Sequence, residues 1–158
     1  MIVHSDAPEA PSVWLGHTAD DSIAVSIYVL VRDGARQRPQ LSAAMRGSVR
    51  MRFMDGYPPV RIDLRGDEIE VADDVDSDGR ACDLELSGRL GDIATLIVTP
   101  LAGGLPKPTT RRGRQAIARL ADGRVDFDGP LGLARNLLRL LAVDADRAAA
   151  RPAERSRP

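Results

Sequence analysis

Few residues of this chain have the type and spacing that chemistry needs. The histidines, His4 and His17, have no Cys, His or carboxylate partners at metal-ligand spacing, so neither reads as a metal or catalytic residue. Cys82 is the only cysteine; it alternates with Leu84 and Leu86, which predicts an inert thiol on a buried strand face. A single cysteine also excludes an internal disulfide and fits a reducing compartment. There is no G-x-S-x-G, no glycine-rich phosphate loop and no paired-carboxylate motif, and Gly103-Gly104 leads into Leu105-Pro106 rather than into a helix. The expectation is a protein without catalysis, cofactor or metal.

Two charged clusters test that expectation. In the run from Asp73 to Gly79, Asp74, Asp76 and Asp78 alternate, Gly79 follows, and Glu85 stands twelfth counted from Asp74. That partly fits a calcium-binding loop. Residues 80–86 read as a strand, however, and no amphipathic helix precedes Asp74, so the run reads as a solvated turn between strands. Arg111, Arg112 and Arg114 form the only dense basic cluster. They stand where a helix should start, and cations there oppose its dipole. That misfit suits an anion partner: a phospholipid headgroup or the phosphates of an acyl-CoA.

The elements that would position these groups follow from periodicity. Val49, Met51 and Phe53 alternate with Arg50 and Arg52; Val60, Ile62 and Leu64 with Arg61, Asp63 and Arg65; Ile69 and Val71 with Glu68 and Glu70; Cys82, Leu84 and Leu86 with Asp83 and Glu85. These are four strands with one apolar and one charged face. Gly66-Asp67 is a two-residue hairpin loop. Val125 and Phe127 make a short fifth strand. The predicted sheet thus exposes Arg50, Arg52, Arg61, Asp63 and Arg65 and buries Met51, Phe53, Ile62 and Leu64. Helical spacing is clear over about 89–98, 111–121 and 130–142, and a short helix is expected from Pro39 to Met45. Leu133, Leu137, Leu140 and Leu141 recur on the last helix, where their burial contributes roughly 6–12 kcal/mol in transfer terms. Residues 20–33 fit a strand, with Ile23, Val25, Ile27, Val29 and Val31 alternating. They equally fit a helix, with Ile23, Ile27, Leu30 and Val31 on one face. Between helices, the Pro/Gly stretch 100–108 reads as a mobile rim.

The 158 residues bound one domain. At 43% apolar and 28% charged, with net charge −1, the chain is a globular, near-neutral protein without a global pull towards nucleic acid or membrane. Lys107 is its only lysine, an arginine-heavy usage that suggests a bacterial source. No apolar run approaches the ~20 residues of a membrane span. No signal-peptide pattern opens the sequence and no address signal closes it, so a cytoplasmic protein without stable membrane insertion is expected. Residues 1–13 read as a loose arm, 14–143 as the domain and 144–158 as a disordered tail.

The order of elements, a helix, a meander of strands, RACDLELSGRLGDIATLIV, a Pro/Gly loop and ARLADGRVDFDGPLGLARNLLRLL, resembles the sterol carrier protein 2 (SCP2) family of small lipid-transfer domains. The matched parts are Val49–Leu64, the Asp83–Leu86 strand with the Leu90–Val98 helix, and Gly123–Leu141, spread over about 100 residues. The resemblance implies an α+β fold in which a five-stranded, mainly antiparallel sheet is covered on one face by helices around an apolar tunnel, with residues 20–33 helical. It also implies non-catalytic binding and transfer of a fatty acid, acyl-CoA or sterol-like lipid. The tunnel would be lined by Met51, Phe53, Leu84, Leu86, Ile93, Leu96, Ile97, Leu101, Leu105, Phe127, Leu133 and Leu137, with Arg111, Arg112 and Arg114 as headgroup ligands. The alternative is a filled core working as a protein-interaction or enzyme-accessory module. No peroxisomal Ser-Lys-Leu ending is present, and the oligomeric state is not fixed by the sequence.

Overall fold

A computed structural model describes residues 9–75 and 80–142. It shows an α+β domain: a sheet whose apolar face is covered by helices. In chain order the elements are β1 (Ser12–Leu15), α1 (Ala24–Gln37), α2 (Pro39–Ala44), β2 (Arg46–Phe53), β3 (Val60–Arg65), β4 (Glu68–Asp73), β5 (Leu84–Gly88), α3 (Leu90–Ile97), β6 (Leu101–Ala102), β7 (Leu105–Pro106), α4 (Arg111–Ala121), β8 (Val125–Asp128) and α5 (Leu131–Leu141).

The main sheet has six strands in the order β1-β4-β3-β2-β5-β8. It is mixed: β1 pairs with β4 and β2 with β5 in parallel, and the other three pairings are antiparallel. This corrects the expectation of five mainly antiparallel strands. The sixth strand, β1, begins within the stretch expected to be a loose arm. Its four residues, SVWL, are too few for alternation to stand out, and pairing with β4 supplies what the pattern lacks. Residues 1–8 of the expected arm and residues 143–158, with the expected tail, lie outside the described residues, as does His4.

Register explains how distant residues meet. Phe127, Leu86, Met51 and Val60 form one cross-strand row on the apolar face; Leu84, Val49, Ile62, Val71 and Leu15 form another. Rows of this kind are the unit of sheet stabilisation, because directly opposed side chains lie within contact distance.

Residues 24–37 are helical. Ala24, Ile27, Val31, Gly34 and Ala35 are the buried residues of α1, spaced as one face of a 3.6-residue helix. Val25 and Val29, which a strand would have buried with Ile27, are 49% and 36% exposed. No side chain caps its start, and the helix runs past Arg32 to Gln37, beyond the 20–33 stretch. α5 buries Leu137, Leu138, Leu140 and Leu141 against α1 and the sheet. The helices cross closely at Gly34, where a Cβ would stand 1.9 Å from the Leu140 carbonyl oxygen.

The segment between β1 and α1 is held by Asp73. Its carboxylate accepts from the Ala19 N–H at 2.6 Å and from the Ser22 hydroxyl, and its own N–H donates to the His17 carbonyl at 2.9 Å. Asp73 is 8% exposed. Removing a buried charged acceptor strands its donors, so Asp73→Ala should cost about 1.5–3 kcal/mol, read as a lower urea midpoint with an unchanged m-value.

Candidate functional site

Eleven of the twelve apolar candidates belong to, or pack against, one apolar core between sheet and helices. Met51, Phe53, Leu84, Leu86, Ile93, Leu96, Ile97 and Leu137 are buried members of the core. Leu101, Phe127 and Leu133 are half-buried and pack against that core, marking where the layer reaches the surface. Leu105 departs from the expectation: it sits on β7 and is 42% exposed. Leu137 is wholly buried, and Leu133, one turn before it on α5, is half-buried against the core.

The stretch expected to be a mobile rim is a built hairpin. Gly103 and Gly104 have φ of +61° and +79°, the two left-handed residues of a tight hairpin turn joining β6 to β7. The turn is fastened to α5 by Arg135 Nε, which donates to the Gly103 carbonyl at 2.9 Å. On the other side the hairpin meets α4, where a Cβ on Gly113 would stand 1.7 Å from the Lys107 carbonyl oxygen. Thr110 caps α4 by accepting from the Gly113 N–H at 2.9 Å. Arg111, Arg112 and Arg114 are solvent-exposed on its first turn, and Arg114 also reaches the Pro108 carbonyl.

The described clefts are elsewhere. The larger, about 1000 Å³, lies open between the β2–β3 turn, the start of α3 and the end of α4, lined by Asp55, Arg89, Asp92, Arg119 and Arg124 among others. Asp55 accepts from the Leu90 N–H and Arg119 bonds Asp92, so much of its charge is internally satisfied. None of the twelve apolar candidates lines it or the smaller cleft beside β1.

The open face of the sheet corrects three readings together. Glu85, Arg50 and Arg61 stand side by side across β5, β2 and β3, facing away from the apolar layer. Arg50, expected to be solvent-facing, is 6% exposed. The alternation holds, but the segment after β4 covers this part of the face. Arg50 donates to Asp74 at 2.6 Å, to Glu85 at 3.4 Å and to the Arg80 carbonyl at 2.5 Å. The Asp74 hydrogen bond is the main reason the guanidinium pKa lies above the ordinary arginine value, against the opposing effect of burial. Asp73 and Asp74, expected in a solvated turn, are therefore buried and bonded, while Asp76, Asp78 and Gly79 lie outside the described residues. Asp74 and Glu85, which would open and close the calcium-type loop, are instead ligands of an arginine. Cys82 precedes β5 rather than alternating within it, and it is half-buried. The missed signal was an arginine in mid-strand with carboxylates available from a loop and a neighbouring strand. His17 is exposed.

Solved structures share this fold. A UbiJ-SCP2 ubiquinone synthesis protein superposes with a TM-score of 0.52 at 11% identity, over 75% of this chain and 92% of that one. The sterol carrier protein domain 2 of Helicoverpa armigera superposes with a TM-score of 0.51 at 18% identity, over 87% of this chain and 97% of that one.

The chain has the SCP2 fold.

No protein-family model and no curated sequence matches the chain. The SCP2 fold was recognisable from the order of elements. Within it, the apolar layer and the hairpin–α4 junction are the parts that face the helices, and the arginine–carboxylate network lies on the sheet's other side. Among the described residues no helix is long and apolar enough to cross a membrane.

Proposed function

We propose that this SCP2-fold chain binds a hydrophobic molecule between sheet and helices, without covalent chemistry. The candidate ligands are a fatty acid, an acyl-CoA or a sterol-like lipid, and the activity is carriage rather than catalysis. One observation supports the reading most: a continuous apolar layer, built on rows such as Phe127-Leu86-Met51-Val60, that surfaces at Leu101, Phe127 and Leu133. Apolar, largely preformed sites with a narrow opening are what such ligands require. Binding there is an extension of core packing, in which acyl carbons replace side-chain contacts at roughly 0.8 kcal/mol per buried CH₂. The bacterial, cytoplasmic setting expected from the sequence is part of the proposal.

A second reading keeps the layer filled and assigns the domain to protein interaction. It is favoured by the complete burial of Met51, Leu84, Leu86 and Leu137, and by the polar lining of both described clefts.

One pair of measurements separates them. Uptake of a fluorescent fatty acid and thermal stability are compared in wild type and Leu137→Trp, with native mass spectrometry for co-purified lipid. The carrier reading expects saturable uptake by wild type, and at least a tenfold loss in Leu137→Trp with little change in melting temperature. A filled core expects no uptake by either protein and a cost of about 1–3 kcal/mol from overpacking.

A further inference from the structure

We propose that the β6–β7 hairpin, α4 and α5 form a docking surface for an anionic lipid bilayer. These elements are physically joined: the Gly103-Gly104 turn lies on Arg135 and Arg139 of α5, and Lys107 lies on Gly113 of α4. Their charge is one-sided. Residues 99–121 and 129–142 contain Lys107, Arg111, Arg112, Arg114, Arg119, Arg135 and Arg139 and no acidic residue, in a chain whose acids outnumber its bases. Arg119 is neutralised by Asp92 at 3.0 Å, but Lys107, Arg111, Arg112, Arg114 and Arg139 are solvent-exposed.

Apolar side chains stand among them without cover. Leu105 on the hairpin is 42% exposed, Ile117 on α4 40% and Leu131 on α5 65%. Each of the three joined elements therefore presents one large apolar side chain beside its basic ones. A bilayer with anionic headgroups matches both features: negative charge for the arginines and an interfacial zone for the leucines. A nucleic acid would satisfy the charge and leave the exposed leucines and isoleucine without a role. The surface stands apart from the open sheet face, where arginines are already bonded to carboxylates. It does not depend on what occupies the apolar layer, so docking and lipid uptake fail separately.

The test is sedimentation of the full chain with vesicles of phosphatidylcholine alone or of equimolar phosphatidylcholine and phosphatidylglycerol. Binding is expected only to the second, and should weaken as salt rises from about 0.1 M to about 1 M, where the Debye length falls from about 10 to about 3 Å. Arg111→Glu, Arg112→Glu and Arg114→Glu together should reduce it about 100-fold, at roughly fivefold for each basic residue lost near the surface. Carboxylates suit the first turn of a helix, so this variant should not lose stability. A control with the same charge change, Arg36→Glu, Arg65→Glu and Arg124→Glu, should lose far less. Leu105→Ser with Leu131→Ser, which leaves the charge unchanged, should weaken vesicle binding several-fold. The proposal is overturned if wild type ignores anionic vesicles at low salt, or if the control triple loses as much as the α4 triple. It is equally overturned if a duplex oligonucleotide binds as tightly as the vesicles and the leucine variant weakens neither.

Discussion

Arg50→Met is expected to destabilise the domain by about 3–5 kcal/mol, because it leaves the Asp74 carboxylate buried without its partner. The pair is well suited to the test: the side chains are 7% and 1% exposed, and the bond is 2.6 Å. Removing both charges, as Arg50→Met with Asp74→Leu, should recover most of the loss, since a buried pair of this kind costs desolvation that apolar residues avoid. The double-mutant cycle then yields the coupling energy directly. Urea midpoints of the four proteins measure it. A cost below about 1 kcal/mol for Arg50→Met would show that the pair behaves like a screened surface salt bridge. Because Arg50 projects away from Met51 and Val49, the variant should keep whatever lipid uptake the wild type has. Its raised pKa keeps the guanidinium charged through the whole working range, so below about pH 10 Arg50 itself introduces no pH dependence.

Gly34→Ala should show the second large effect, and with a sign opposite to helix propensity. In isolation the change favours a helix by roughly 0.8–1 kcal/mol. Here the added Cβ would meet the Leu140 carbonyl oxygen at 1.9 Å, a backbone atom that cannot step aside. α1 and α5 must separate, and the leucines of α5 lose contact with the core. The expected net cost is about 1–3 kcal/mol, seen as a lower melting temperature and urea midpoint. Gly132→Ala is the control. Nothing lies within 4 Å of its Cβ position, so it should raise stability by about 0.4–1 kcal/mol. Equal effects at the two positions would mean that the α1–α5 crossing is looser than described.

A good part of this fold was legible in the chain. The alternation of Met51 and Phe53 with Arg50 and Arg52, and its counterparts in the next strands, named the faces correctly. The helical spacing over 111–121 and 130–142 placed the last two helices within a residue of where they lie. The apolar layer was legible as a set of residues, eight of which are buried in the core. Leu105 illustrates the limit. In sequence it is one more leucine near a helix, and only the Gly103-Gly104 turn, fastened by Arg135, turns its strand outward.

Local periodicity by itself determined which residues face a core and which face away, because a strand repeats every two residues and a helix every 3.6. It also determined the ends of most elements, through glycine and proline. Only tertiary structure decided what each face meets. β1 became a strand through β4, more than fifty residues away, and β2 joined β5 in parallel, pairings that leave no local trace. Residues 24–37 became a helix because the core offered cover for one helical face, Ile27, Val31 and Gly34, with Gly34 against Leu140 of α5, where the β-branched run had left both states open. Arg50 kept the face its alternation assigned yet lost its solvent, because the chain after Asp73 folded over it and brought Asp74 with it. Pattern fixes direction, whereas burial depends on a partner that arrives from elsewhere in the chain.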